Sequence, residues 1–311
     1  MRDKIPSTQA PAAVVMVRPL RFHPNPHTIT DNAFQRRDVD RSAEEVAAAA
    51  FAEVTEAAAK LSAHGVRVHM FDDDGTRDTP DSVFPNNWFS THAGGHVALF
   101  PMCTANRRRE RRSDVIEMLK AEYRVQDVID YSGLEQDGVF LEGTGAMVLD
   151  HMARVAYTAR SNRADAVALE RFCTHFNFEP MAFDTADAAG RPVYHTNVMM
   201  CVATAFALVG FDYITDATRR AQVQARLAES GRHVIDLTPA QLGEFAGNAL
   251  ELSGDDGRVL ALSNRAAASL TSDQRVAIER SARIVVLSVP TIEMAGGSVR
   301  CMLAGIHLAR R

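Results

Sequence analysis

The chain has 311 residues and a mass of 34.0 kDa, with 46% hydrophobic and 23% charged residues. These values are ordinary for a globular protein and argue against a disordered or fibrous chain. The formal net charge of −5 provides no attraction to polyanions. Nucleic acid and anionic membrane are therefore not expected partners.

The cysteines bear on metal binding and on redox state. Cys103, Cys173, Cys201 and Cys301 are far apart and match no short-spaced metal motif. A chain of this length does not need disulfides, so we expect reduced thiols and no metal. Residues 1–10 lack the apolar core of a signal peptide, and the longest apolar runs are too short to cross a membrane. The cytoplasm is the expected compartment.

Strand and helix signals alternate from one end of the chain to the other. Apolar or alternating runs predict strands at residues 14–17, 66–70, 97–100, 154–158, 198–202, 205–209, 233–235, 249–252, 259–262 and 284–289. Longer runs predict helices at residues 42–64, 106–120, 164–176, 219–230, 239–245 and 271–282. Because no linker or composition shift divides them, we predict a single α/β domain over residues 1–311.

Two charged segments have competing interpretations. Residues 72–81 form an acidic, turn-rich run. We interpret it as a solvated loop, because its spacing does not follow that of a calcium loop. Residues 107–112 contain five arginines near the start of the second predicted helix. Most of these should face solvent, but one could enter a pocket and bind a carboxylate.

A short apolar segment, residues 83–90, contains two asparagines. Asn86 and Asn87 lie next to Trp88, the only tryptophan in the chain. Polar groups held among apolar residues are typical of the wall of a small-ligand pocket. An asparagine turn packed by Trp88 is the alternative.

Three predicted kinks at strand ends carry residues suited to nucleophilic catalysis. Cys301 follows Gly296 and Gly297, where a turn can present a thiol to a ligand; a small buried residue is the alternative interpretation. Glu142 and His195 lie at the other two kinks. A thiol, an imidazole and a carboxylate together can attack an unsaturated carbon and protonate a leaving amine.

The order and local sequences of these segments resemble the guanidine-modifying superfamily, which includes arginine deiminase, dimethylarginine dimethylaminohydrolase, glycine amidinotransferase and succinylarginine dihydrolase. Citrulline-utilisation hydrolases are closest in appearance. The similarity runs from residue 14 to Cys301. The matching segments are Phe84-Pro85-Asn86-Asn87, Leu141-Glu142-Gly143, Thr158-Ala159-Arg160-Ser161-Asn162, His195, and Gly296-Gly297 with Cys301.

The resemblance implies a pentein-type α/β propeller, in which five ββαβ modules surround a central channel that holds the active site. It also implies that Cys301 attacks the central carbon of a guanidino or ureido group while His195 protonates the leaving nitrogen. Glu142 would hold His195 or the substrate nitrogens. No metal or organic cofactor is needed. The expected partner is a small amino-acid substrate, and a homo-oligomer is left open.

The implied substrate-binding residues are Phe84, Asn87, Asn197 and Arg160, with Arg107 as a second candidate for the arginine role. Arg160 would bind the substrate α-carboxylate through its two-pronged guanidinium. Where many relatives have aspartates, this chain has Asn87 and Asn197, whose amides can pair with a neutral ureido group.

We therefore expect a hydrolase that cleaves a C–N bond in a citrulline-like or arginine-like amino acid and prefers the ureido compound. Arginine deiminase and amidinotransferase activities are alternatives, because the same triad supports them. A third alternative is a binding protein, since translation factors of this fold lack the triad and fold alone does not establish an enzyme. Cys301, His195 and Glu142, together with the absence of strong basic charge, favour the enzyme.

Overall fold

The protein is described by a computed structural model that covers residues 8–29, 32, 34–36 and 40–311. Most of the polar N-terminal stretch considered above, residues 1–7, lies outside the described residues. The described chain contains five three-stranded sheets. In chain order the strands are β1 (Ala13–Pro19), β2 (Arg67–Asp73), β3 (Phe89–His92), β4 (His96–Leu99), β5 (Asp127–Asp130), β6 (Met147–Asp150), β7 (Val155–Ala159), β8 (Glu179–Phe183), β9 (Met200–Val202), β10 (Phe206–Val209), β11 (His233–Asp236), β12 (Leu250–Gly254), β13 (Gly257–Ser263), β14 (Arg283–Leu287) and β15 (Ala304–Gly305).

Helices connect the strands within the modules. The α-helices of the described residues are α1 (Ala43–Ala63), α2 (Ser113–Glu122), α3 (Gly143–Ala146), α4 (Ala166–Phe176), α5 (Ala217–Glu229), α6 (Pro239–Gly243), α7 (Asn264–Ser269), α8 (Ser272–Glu279) and α9 (Val299–Met302). In each sheet an antiparallel pair is extended by a parallel strand, as in β3–β4–β5. Parallel neighbours need a crossover, which the helices supply. The predicted five-module α/β fold is confirmed.

The two ends of the described chain complete one module together. β15 runs antiparallel to β1, with Val14 opposite Gly305 and Val15 opposite Ala304. β15 therefore serves as the first strand of the module that continues through β1, α1 and β2. First strands of different modules also contact each other, namely β15 with β3, β6 with β9 and β9 with β12. The first strands thus gather at the centre of the molecule.

Helix α1 shows how the sequence determines an element. Ser42 and Glu45 form a capping box that satisfies the first free N–H groups of the helix. Apolar residues recur every three or four positions and face the core: Val46, Ala50, Val54, Ala57 and Leu61. The helix predicted at residues 42–64 is confirmed. Within the described residues no helix is long and apolar enough to cross a membrane.

The continuous helix predicted at residues 106–120 was wrong. The arginine-rich segment forms a short 3₁₀ helix, Arg107–Glu110, and the backbone is extended at Arg111 and Arg112 before α2 begins at Ser113. Long-range pairing explains the break, because Arg111 reaches Glu135 through two hydrogen bonds.

The kinks that carry the candidate residues also differ from the prediction. They do not end strands; they are short helical turns that precede the first strands of the modules. The turn Pro85–Asn87 precedes β3, α3 precedes β6, the turn Thr196–Val198 precedes β9, and α9 precedes β15. Because the first strands meet at the centre, the turns in front of them meet there as well.

Candidate active site

Cys301 lies in the single turn of α9 and is buried. The two preceding glycines make room for it. Gly296 has φ of 84°, and a side chain there would collide with Asn32. A Cβ on Gly297 would lie 2.9 Å from the ring of Phe84 and 3.3 Å from the Cβ of Cys301. The glycine pair thus lets the chain fold closely around the thiol.

Two amide groups donate hydrogen bonds to the sulfur of Cys301. The Nδ2 atoms of Asn197 and Asn248 each lie 3.3 Å from Sγ. Asn248 is itself fixed, because its Nδ2 also donates to the Asn197 carbonyl and its Oδ1 accepts from the Arg300 N–H. Donors that point at sulfur favour the negatively charged thiolate.

His195 and Glu142 form a buried pair beside this cysteine. The distance between His195 Nε2 and Glu142 Oε2 is 2.8 Å, and the Cys103 N–H donates to Glu142 Oε1 at 3.0 Å. Guanidinium nitrogens of Arg107 and Arg163 lie 3.6 Å and 3.5 Å from the same Oε2. Glu142 is thus held by four neighbours on elements distant in sequence.

These contacts determine the charge of the pair. Burial alone would raise the pKa of Glu142, but Arg163, the His195 hydrogen bond and Arg107 outweigh it and hold the pKa well below its usual range. Burial lowers the pKa of His195 to about 4, and Glu142 opposes this only in part. Near neutral pH the pair is a carboxylate and a neutral imidazole. Since a carboxylate only accepts, Nε2 carries the imidazole proton and Nδ1 is the basic atom.

The candidate residues meet at one narrow cavity. His195, Cys301, Asn87, Phe84 and Arg107 all line it, as the sequence predicted that the site residues would converge. Asn197 reaches the cavity residue Cys301 through its amide, and Glu142 supports His195 from behind. Further lining residues are Thr28, Asn32, Asp81, Arg163, Tyr194, Ala295 and Gly297.

Arg160 does not reach this cavity. Its side chain is 48% exposed and pairs with Asp184 at 3.2 Å. The prediction that Arg160 binds the substrate carboxylate is corrected, because Arg160 lies directly after β7 with its side chain exposed to solvent. Arg163, three residues later, is the buried arginine; its guanidinium lies over the ring of Tyr194, with its carbon 5.0 Å from the ring centroid.

The acidic segment at residues 72–81 was predicted to be solvated, but its last residue is part of the site. Asp81 is only 4% exposed and accepts a hydrogen bond of 2.8 Å from Asn25. Arg107 lies 3.7 Å from it and binds Glu110 through two hydrogen bonds of 2.9 Å. Burial raises the pKa of Glu110 to about 7 despite this pairing. Arg107 is therefore held among carboxylates of the protein.

Sequence reasoning missed Asp81, Arg163 and Asn248. Asn248 had one available signal, because it precedes β12 in the same way that Asn87 precedes β3. Asp81 and Arg163 each lie three residues from a residue of the same charge that faces solvent, Asp78 and Arg160, and only the tertiary structure distinguishes the buried residue from the exposed one. In the part of the chain that the structure describes, no group of three or more His, Cys, Asp or Glu side chains could hold a metal ion.

Solved structures with the same fold include hydrolases of guanidino compounds. The chain is 16% identical to the crystallised N-terminal domain of the cyanobacterial arginine dihydrolase ArgZ, in a mutant bound to substrate, with a TM-score of 0.72 and coverage of 94% of this chain and 97% of that one. AgrE gives a TM-score of 0.74 at 16% identity, covering 96% of this chain and 40% of AgrE. A dimethylarginine dimethylaminohydrolase (DDAH) of Pseudomonas aeruginosa, crystallised with citrulline, gives a TM-score of 0.62 at 11% identity, covering 99% and 100%.

The chain spans only 40% of the complete ArgZ and AgrE chains. A search of curated protein sequences finds no match. These structural likenesses show that the chain has the pentein fold of the guanidino-modifying hydrolases. Residues 18–308 match the model of a particular family, the eukaryotic N,N dimethylarginine dimethylhydrolases. The chain belongs to this family.

Proposed function

We propose that the protein is a cysteine hydrolase that cleaves a C–N bond in the guanidino group of an arginine-like amino acid through a covalent intermediate on Cys301. The observation that carries the proposal is the meeting of Cys301 and His195 at one buried cavity, with the anionic Glu142 bound to His195. Family membership supports the same reaction class.

In the first step the sulfur of Cys301 attacks the central guanidino carbon. The amides of Asn197 and Asn248 stabilise the thiolate, while Nδ1 of His195 takes the thiol proton. The C–N bond then breaks, and the proton returns from His195 to the leaving nitrogen. An amine departs and a thiouronium remains on the sulfur.

In the second step water releases the product. Neutral His195 takes a proton from water, and the oxygen attacks the thiouronium carbon. The C–S bond breaks, the remaining hydroxyl proton passes to solvent, and the sulfur leaves as a thiolate between its two amide donors. The thiolate then takes back the proton held by His195, which restores the thiol and the neutral imidazole. The product is a ureido compound, and the sum of the two steps is the addition of one water across one C–N bond. Glu142 keeps His195 in the required tautomer throughout.

The cavity contains both charged and neutral partners for the substrate. Asp81 contributes a carboxylate, which favours a guanidinium. Within the described residues, the buried Nδ2 of Asn87 has no hydrogen-bond partner, so the site offers an unused donor. Because Asp81 places a negative charge at the cavity, the guanidino compound is the first candidate substrate.

A ureido substrate such as citrulline is the second candidate. The amide of Asn87 supports it, because an N–H donor can bind the ureido oxygen whereas a guanidinium has no acceptor to offer. Asn87→Asp should then lower kcat/KM for citrulline relative to arginine, since the new carboxylate cannot donate. An unchanged ratio would remove Asn87 from substrate selection.

The direct test is amine and ammonia release from arginine, agmatine, dimethylarginine, N-succinylarginine and citrulline. Wild-type protein should release an amine from at least one guanidino compound, and Cys301→Ser should release none. Cys173→Ala is the matched control, because Cys173 is buried in α4 away from the cavity. Turnover by Cys301→Ser would contradict the proposal.

We further propose that residues 1–311 act as one catalytic domain in the cytoplasm. The four cysteines are free, which suits a reducing compartment. The proposed reaction requires a reduced Cys301.

A further inference from the structure

A second cavity lies among the first strands of the modules, on the other side of the turns that carry the active site. Its wall contains residues of β3, β6, β9, β12 and β15, so each of the five sheets contributes. The active-site cavity shares no lining residue with it. The two cavities are therefore distinct, although Arg300 and Cys301 are adjacent in α9.

Arg300 is the cation of this second cavity. Its Nη1 donates to the Leu303 carbonyl at 2.9 Å, and its backbone N–H is fixed by Asn248 Oδ1 at 3.1 Å. Among the described residues that line the cavity none is Asp or Glu, and no described carboxylate lies within ion-pair distance of this guanidinium. Arg300 is half-buried, and a partly desolvated charge without a counter-ion is stabilised by an anion bound beside it.

Two histidines complete the polar part of the wall. His151 is 6% exposed, and its Nδ1 has no hydrogen-bond partner among the described residues. His307 bonds the Thr8 carbonyl through Nδ1, and its ring stacks on that of His151 at 3.8 Å between centroids. Burial lowers the pKa of both imidazoles, that of His307 to about 4. Near neutral pH Arg300 is thus the only charged residue among the described residues of the wall.

We infer that this second cavity is a binding site for a small monovalent inorganic anion, held by the guanidinium of Arg300 beside His151. The single positive charge of Arg300 is balanced by one negative charge, so a monovalent anion fits the cavity. The centres of water-sized molecules can occupy about 40 Å³ of the cavity. Since roughly 10–15 Å³ of such volume holds one water, there is room for one small anion with little accompanying water. The inference does not rest on the proposed reaction.

Chloride is the probe, and sodium gluconate is the comparison because its anion is too large for the cavity. At equal ionic strength, chloride should raise the Tm of the wild-type protein saturably, by about 2 °C at ten times the dissociation constant. Arg300→Gln should lose this increment. Arg283→Gln, which removes an exposed arginine of β14, should keep it. An equal rise in gluconate, or an equal chloride response in Arg300→Gln, would overturn the inference.

A measurement on the wild-type protein covers the case in which Arg300→Gln does not fold. Crystals soaked in sodium bromide should show an anomalous bromide peak within hydrogen-bond distance of Arg300 and next to His151. Water alone in the cavity at a bromide concentration of several hundred millimolar would overturn the inference. Neither experiment uses catalytic activity, so failure here is separable from failure of the proposed function.

Discussion

Asn248 contacts Cys301, the proposed nucleophile, although the sequence did not predict this contact. Its effect on the thiolate can be measured separately from substrate binding. Asn248→Ala removes one of the two N–H donors at 3.3 Å from the sulfur. A hydrogen bond to a charged group contributes about 1.5–3 kcal/mol, so we expect kcat to fall by about 10- to 100-fold with little change in KM. At a fixed pH, iodoacetamide should alkylate Cys301 more slowly than in the wild type, and the alkylation profile over time shows this, because one donor that stabilises the thiolate is lost.

Asn264→Ala provides the control for that change, because it replaces an exposed asparagine at the start of α7. It should leave both the kcat and the alkylation profile as in the wild type. If Asn248→Ala altered KM alone, or left the alkylation profile unchanged, Asn248 would be a packing residue and not a stabiliser of the thiolate.

The low pKa of His195 predicts the acid limb of the pH profile. In the free enzyme the neutral imidazole is the active form, so kcat/KM should fall as the pH falls through about 4. Glu142 raises the pKa of His195 and thereby opposes burial. In Glu142→Gln the pKa should drop further, moving this limb to lower pH, and the plateau should fall by about 100-fold or more. A limb that moved to higher pH would contradict the assigned charges.

At the scale of single residues, short sequence motifs pointed to the candidate site residues. Cys301 after two glycines, Glu142 before Gly143, and His195 were chosen as candidates because their ordered set resembles the family, although each signal alone is weak. Arg163 was missed in favour of Arg160 because nothing local distinguishes two arginines three residues apart. Packing against Tyr194 and the ion pair with Glu142 hold Arg163 in the interior, while Asp184 holds Arg160 at the surface.

The turns before the first strands must approach one another closely, and Gly145 in α3 tests this. A Cβ there would lie 2.8 Å from His195 Nδ1 and would also collide with Asn87 Nδ2. Because the backbone of Gly145 does not have positive φ, Gly145→Ala should be tolerated by the helix but displace both site residues. We expect activity to fall by about 100-fold, the usual effect of a displacement near 1 Å, with folding retained by circular dichroism.

Gly243→Ala in α6 is the matched substitution, because a Cβ there meets nothing within 4 Å. It should keep wild-type activity. Full activity of Gly145→Ala would show that the α3 turn does not position His195.

Elements with a strong local signal were predicted well, and those controlled by distant partners were not. The capping box of Ser42 and Glu45 is contained within α1, and the structure has it. The interruption before Ser113 depends on Glu135, which lies on a different element. Periodicity does not contain that information.

At the scale of the whole molecule, a buried ion pair joins two of the modules. Arg232, just before β11, donates two hydrogen bonds to Asp150 at the end of β6, and both residues are buried. Removing one partner leaves an unpaired buried charge, so Arg232→Met should lower the free energy of unfolding by about 3–5 kcal/mol. Urea unfolding measures it. Arg226→Met, which breaks an exposed pair with Glu179, should cost about 1 kcal/mol or less. Equal losses of unfolding free energy in the two variants would contradict this role of the Arg232–Asp150 pair.

The alternation of strands and helices indicated an α/β protein but not its five-module arrangement. That arrangement was implied by the resemblance of motifs spread over the whole chain. Pairing of β15 with β1 joins residues nearly the full chain length apart, and no local pattern could reveal it. The same arrangement brings Glu142, His195 and Cys301 together, because each precedes or adjoins the first strand of a different module.

The measurement that tests the central claim most directly is peptide mass spectrometry of an acid-quenched reaction. Both the wild type and His195→Ala should be mixed with the guanidino compound that the wild type uses. His195 acts in both steps, and the step that is slower decides in which protein the intermediate accumulates. The account predicts an added amidino-type mass on the peptide that contains Cys301, and no addition to Cys103, Cys173 or Cys201. Substrate turnover by the wild type, with no adduct on Cys301 in wild type or variant, or an adduct on another cysteine, would contradict it.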